Sequence, residues 1–189
     1  MATTMPQWLQ DLITLIDKND YLMWHHDIRV ISVFDDIKYD RSDIDILSPA
    51  MRKFAVNIFK EFDCQQSRGT RIDTPTKGLR IWLPKPSVLG ASPFDITHHH
   101  TREKQDIYLL TPTQTAAYWF DHEPLQQAVD NIAEMVKQQP INLLKLSDML
   151  HNKPERQDIL QAFGYLRYCQ RIAIEQPSMR FKRSLGSVF

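Results

Sequence analysis

Apolar residues recur along the chain with two periods, one helical and one alternating. From Pro6 to Asp17 they return at helical spacing, as Trp8, Leu9, Leu12, Ile13, Leu15 and Ile16, and Pro6 suits a first helical turn. Residues 28–34 are short and rich in β-branched side chains, which predicts a strand. A polar turn over 35–42 leads to a second short strand at 43–47. Ser48 and Pro49 then open a helix running to about Phe62, with Met51, Phe54, Ala55, Ile58, Phe59 and Phe62 on one face. Between 63 and 100, Gly69, Gly78, Gly90 and several prolines break the pattern. Within that stretch 70–73 and 79–83 read as a hairpin, 84–93 as a loop and 94–100 as a strand. Residues 106–110 give one more strand. Thr111-Pro112-Thr113-Gln114 is a capping box with proline at the first helical position, opening a helix through Phe120.

From Pro124 the pattern is helical again. Leu125, Ala128, Val129, Ile132, Ala133 and Val136 form one stripe, ended by Pro140. Residues 143–150 read as a short second helix. A third runs from Pro154 to Gln170, with Ile159, Leu160, Phe163, Leu166 and Tyr168 near its packed side. Residues 171–176 alternate as a strand, Pro177 and Ser178 turn, and 179–183 return as its partner. The fold expected is α+β. A small mixed or antiparallel sheet with flanking helices occupies 1–120, and a helical module follows over 121–189.

The order of elements in 124–183 resembles a winged helix. That resemblance implies a third helix in the DNA major groove, presenting Arg156, Gln157, Gln161 and Arg167. It also implies a wing whose Arg171, Arg180, Lys182 and Arg183 pair with phosphates. The same helices fit two other roles, a packed cap on the α/β part or a protein-interaction module.

Charge limits the partners. The 189 residues carry 23 Lys plus Arg against 23 Asp plus Glu, so an electrostatic partner must be met by a local patch. The distribution is uneven. Residues 1–50 hold nine acids and four bases, and residues 151–189 hold seven bases and three acids. Only two cysteines occur, Cys64 and Cys169, which fits neither a metal knuckle nor a disulfide framework and favours a reducing compartment. Asp11, Asp17 and Asp20 interrupt the first apolar stretch, and no run approaches membrane-spanning length. A cytoplasmic location without membrane attachment is expected.

The sharpest chemical feature is Arg41-Ser42-Asp43-Ile44-Asp45-Ile46-Leu47. On a strand, side chains two apart share a face, so Asp43 and Asp45 project together. Two carboxylates this close repel unless a cation sits between them. Mg²⁺ takes oxygen ligands and shares its shell with nucleotide phosphates. Paired carboxylates of this kind are what metal-assisted phosphoryl or nucleotidyl transfer requires.

These residues, with the strand at 28–34, the helix from Ser48 and Phe94-Asp95-Ile96, resemble the nucleotidyltransferase superfamily over roughly residues 28–100. The resemblance implies Asp43, Asp45 and Asp95 as metal ligands and catalytic carboxylates. Asp73 and Asp106 are alternative third acids, and Arg41, Ser42, His98 and His100 lie near the nucleotide. It further implies Mg²⁺ as cofactor, a nucleoside triphosphate and an unidentified acceptor; nothing in the sequence points to an organic cofactor. One departure stands out. The family places Gly-Ser after its first strand, where backbone amides approach the phosphates, and this chain has Phe34-Asp35-Asp36. A non-enzymatic regulator or accessory subunit, binding DNA or protein through 124–189, is therefore the competing expectation.

The histidines give a further spacing. His98 and His100 share one strand face, a two-ligand metal arrangement that His122, Glu123 or the His25-His26 pair could complete. The same imidazoles could instead contact phosphate or act as a base. Cys64 and Cys169 fall near apolar helical positions and read as structural thiols.

Overall fold

The computed structural model describes residues 6–34, 47, 49–68, 71–74, 78–83 and 106–176. In chain order these form α1 (Gln7–Asp17), β1 (Leu22–His25), β2 (Val30–Val33), α2 (Pro49–Lys60), β3 (Gln65–Arg68), β4 (Arg71–Asp73), β5 (Arg80–Trp82), β6 (Asp106–Leu110), α3 (Pro112–His122), α4 (Leu125–Met135), α5 (Leu143–Met149) and α6 (Arg156–Glu175). The sheet is six-stranded and mixed, in the order β1-β2-β6-β5-β4-β3. The strand β6 lies at its centre, parallel to both β2 and β5, and the remaining pairs are antiparallel.

Strand alternation divides the core between the two faces. Ile31 and Val33 of β2 and Ile107 and Leu109 of β6 pack with Leu12 and Ile16 of α1 and with Met51, Ala55 and Phe59 of α2. Val30, Tyr108 and Leu110 point the other way, into a cluster with α3, α4, α5 and α6. All five residues of β6 are buried, as expected for a strand covered on both faces. The helix α3 is buried from Pro112 through Phe120, so it is enclosed around its whole girth, with Thr113, Gln114 and Thr115 as buried polar residues. It touches β2 and β6 on one side and α4 and α5 on the other. Its start is the expected capping box. Thr111 Oγ1 accepts from the Gln114 amide at 3.2 Å, and Gln114 Oε1 accepts from the Thr111 amide at 3.0 Å.

Two strands escape the hydrophobic pattern. The strand β1 reads Leu-Met-Trp-His, with no β-branched residue, and β3 reads Gln-Gln-Ser-Arg, exposed at every position. Both are edge strands, held by pairing to one neighbour rather than by their own propensity. The expected strand at 28–34 is shorter because Arg29 adopts φ 52°, closing the β1–β2 hairpin with its amide donating to the His26 carbonyl at 3.3 Å. Gly78, at φ 64°, turns the β4–β5 hairpin where a side chain would be strained.

The expected strand at 171–176 is corrected: α6 runs unbroken to Glu175. Ile159, Leu166, Gln170 and Ala173 keep a helical stripe against the core through the whole segment, and this packing overrides the local alternation. Arg171 thus belongs to a helix and not to the first strand of a wing. No described helix is long and apolar enough to cross a membrane.

Candidate functional site

The connections after β2 and β6 run to opposite faces of the sheet. From β2 the chain leads to α2, on the face with α1, and from β6 it leads to α3, on the other face. Adjacent parallel strands whose connections diverge leave a crevice at their carboxyl ends, the usual ligand position in open sheets of this kind. Here the carboxyl ends of the two strands are followed by Phe34 and Thr111. Segment 35–46 leaves from Phe34, and segment 84–105 leaves from Leu83 at the carboxyl end of β5. Asp43, Asp45, Arg41 and Ser42 belong to the first segment, and Asp95, His98 and His100 to the second; all lie outside the described residues.

Several described residues border this edge. The Phe34 amide donates to the Tyr21 carbonyl at 2.7 Å, and the Tyr21 ring meets Phe54 of α2 edge-on at 5.7 Å. Arg52 Nε donates to the Leu47 carbonyl at 3.3 Å. The start of α3 is not an open anion cradle. Pro112 lacks an amide proton, the Gln114 amide is held by Thr111, and Thr113 Oγ1 accepts from the Asn142 amide at 3.0 Å.

The alternative third acids stand at the opposite edge. Asp106 begins β6, is fully buried and pairs with Arg80 Nε at 2.7 Å. Its carbonyl also accepts from Arg29 Nε at 3.3 Å. Burial lowers the Arg29 pKa, while the Asp106 carboxylate opposes that shift. Asp73 ends β4 beside Arg80 and pairs with Arg71 at 2.9 Å. Neither acid stands where segment 35–46 leaves the sheet.

The other sequence candidates are dispersed. Arg167 and Arg171 lie one helical turn apart on the exposed side of α6. Arg180, Lys182 and Arg183 lie outside the described residues. His122 stacks on Tyr118 at 3.8 Å, and its Nδ1 lies 2.9 Å from the Tyr118 carbonyl. Among the described residues no three His, Cys, Asp or Glu side chains gather as a metal site. Cys64 is buried and donates to the Phe62 carbonyl at 3.8 Å.

The structure also shows a polar line that sequence reasoning missed. His25 Nε2 lies 2.8 Å from Ser32 Oγ, and Ser32 Oγ lies 2.7 Å from Thr115 Oγ1. Thr115 Oγ1 donates to the Thr111 carbonyl at 3.0 Å. That last bond uses the Thr115 proton, so Ser32 donates to Thr115 and His25 donates to Ser32 through Nε2–H. Burial pushes the His25 pKa down to about 4, which keeps the imidazole neutral at pH 7. His25 also opens onto a cleft of about 210 Å³ between the β1–β2 turn, α3 and α4. The only sequence signal was the His25-His26 pair, and its buried partners come from β2 and α3. No family model, curated protein or solved structure matches the chain.

Proposed function

We propose that the chain binds a nucleoside triphosphate with Mg²⁺ at the carboxyl edge of β2 and β6 and transfers its nucleotidyl group to an acceptor hydroxyl. The observation behind this reading is the divergence of the two connections, because the acidic segment follows β2 at that edge. Asp43, Asp45 and Asp95 would supply hard oxygen ligands, the donor type Mg²⁺ takes. The bound ion would neutralise phosphate charge. The capped start of α3 and the absence of Gly-Ser after Phe34 leave the phosphates to side chains, for which Arg41, Ser42, His98 and His100 are the candidates. The acceptor oxygen bonds to the α-phosphorus and pyrophosphate departs with the electron pair of the broken bond. The hydroxyl proton passes to a carboxylate or imidazole within residues 95–100.

The test is calorimetry of the four nucleoside triphosphates, with and without Mg²⁺, on the wild type and Asp43→Asn. Mg²⁺-dependent binding that disappears in the variant at an unchanged melting temperature supports the proposal. Absence of nucleotide binding, or equal binding by the variant, removes it.

A second reading, a binding module in the C-terminal helices, is favoured by one observation. Tyr165, Tyr168 and Ile172 are exposed at 52%, 54% and 40% and follow one another along α6 at helical spacing. This stripe suits a protein partner better than DNA, since 171–175 is helix rather than wing. Salt-dependent DNA binding that weakens on neutralising Arg167, Arg171, Arg180, Lys182 and Arg183 would restore the nucleic-acid version.

A further inference from the structure

The cleft beside His25 lies at the end of the β1–β2 hairpin, away from the carboxyl edge. It is lined by Met23, Trp24, His25, His26 and Asp27 from the hairpin, Trp119 from α3, and Asn131, Glu134 and Met135 from α4. Its aromatic groups form two edge-to-face pairs. Trp24 and His26 meet with centroids 6.4 Å apart at 67°, and His25 and Trp119 meet at 4.7 Å and 77°.

The charge of the wall has one sign. Asp27 and Glu134 are exposed, and no Lys or Arg lines the cleft among the described residues. Glu134 shares its charge with Lys137, its neighbour one turn along, and Asp27 makes no ion pair among the described residues. His25, held neutral by burial, adds no positive charge at pH 7. An anion such as a nucleotide phosphate would meet like charge here. The rings and carboxylates both attract a cation. The volume is below the roughly 300–1,000 Å³ of drug-sized pockets, which limits the guest to a headgroup.

We propose that this cleft binds a small organic cation of the alkylammonium class.

The test is a titration of the full chain at constant ionic strength, followed by calorimetry and tryptophan fluorescence. The probes are choline, tetramethylammonium and 3,3-dimethylbutan-1-ol, the neutral analogue of choline. Choline and tetramethylammonium are expected to bind saturably, with the neutral alcohol weaker by about tenfold or more, the size of a desolvated cation–aromatic contact. The double variant Asp27→Asn with Glu134→Gln changes only exposed carboxylates, so it should keep its melting temperature and lose about tenfold in choline affinity. Non-saturable binding, equal binding of the neutral alcohol, or an unaffected double variant would each overturn the proposal. These outcomes are independent of the triphosphate experiment, whose variant lies in a different segment.

Discussion

Gln170 pairs with both backbone groups of Ile141. Its Oε1 accepts from the Ile141 amide at 3.0 Å, and its Nε2 donates to the Ile141 carbonyl at 3.1 Å. Ile141 sits between α4 and α5, where no helix or strand supplies a partner, and it is fully buried. A carboxamide is the one side-chain type of this length with a donor and an acceptor side by side. The residue expected to end a recognition helix is thus an internal brace, joining α6 to the turn between its neighbours.

Gln170→Leu should therefore destabilise the chain by roughly 2–4 kcal/mol, because it strands a buried N–H and a buried C=O together. Tyr168→Ala, two residues away on the exposed side, should stay within about 0.5 kcal/mol of wild type. Urea denaturation of both variants measures the contrast. Equal midpoints would show that Ile141 finds other partners.

Asp106 gives a second contrast, between a structural and a chemical carboxylate. It is fully buried against Arg80, so Asp106→Asn removes half of an ion pair and should cost roughly 2–4 kcal/mol. Replacing both partners, as Asp106→Leu with Arg80→Met, should recover part of that loss, with Arg29 left as the remaining charge that faced Asp106. Asp43→Asn is expected to leave thermal stability unchanged and to remove Mg²⁺-dependent nucleotide binding. The opposite assignment of effects would place the working carboxylate at Asp106 and refute the position of the site.

The central elements of the fold were readable in the sequence because each carries its own signal. Ile107 to Leu110 is a strand through apolar continuity, α3 announces itself by Thr111-Pro112-Thr113-Gln114, and α1, α2 and α4 by helical stripes. The edge strands carried no such signal, because Gln65–Arg68 is exposed throughout and owes its conformation to β4. Arg171 to Glu175 misled for a related reason. Alternation over six residues cannot distinguish a strand from the last turns of a helix whose buried side continues through Ala173. The polar line from His25 to Thr111 joins the β1–β2 hairpin to α3, which lies 83 residues beyond Ser32 at Thr115, and the parallel pairing of β2 with β6 brings the two together. Local sequence contains no trace of that contact.

The capping box can be tested as a unit. Thr111 is fully buried and Gln114 nearly so, which shuts water out of the first turn of α3. Thr111→Ala should cost about 1–2 kcal/mol, at the upper end for a helix cap. With Gln114→Ala it should form a non-additive pair, because each residue holds the other's amide. A double-mutant cycle by thermal denaturation reads the coupling. Strict additivity would mean that the two bonds do not act together.

His25 sets a pH dependence whose sign follows from its burial. In the unfolded chain its pKa is the ordinary 6.5, and in the folded protein it falls to about 4. Between those values the unfolded state binds the proton that the folded state refuses, so stability declines as pH falls through this window. Above about pH 6.5 the imidazole is neutral in both states and adds no slope. Below about pH 4 it is charged in both states and the loss is complete. The full difference is roughly 3 kcal/mol. The cause is burial: a protonated ring would carry its charge packed against Trp119, out of reach of water. His25→Gln keeps a donor near Ser32 but cannot titrate. Its stability should therefore change less between pH 7 and pH 4 than that of wild type, by about that amount. Denaturation curves at half-unit steps across the window would show it, and parallel profiles for the two proteins would mean that another group governs the acid side.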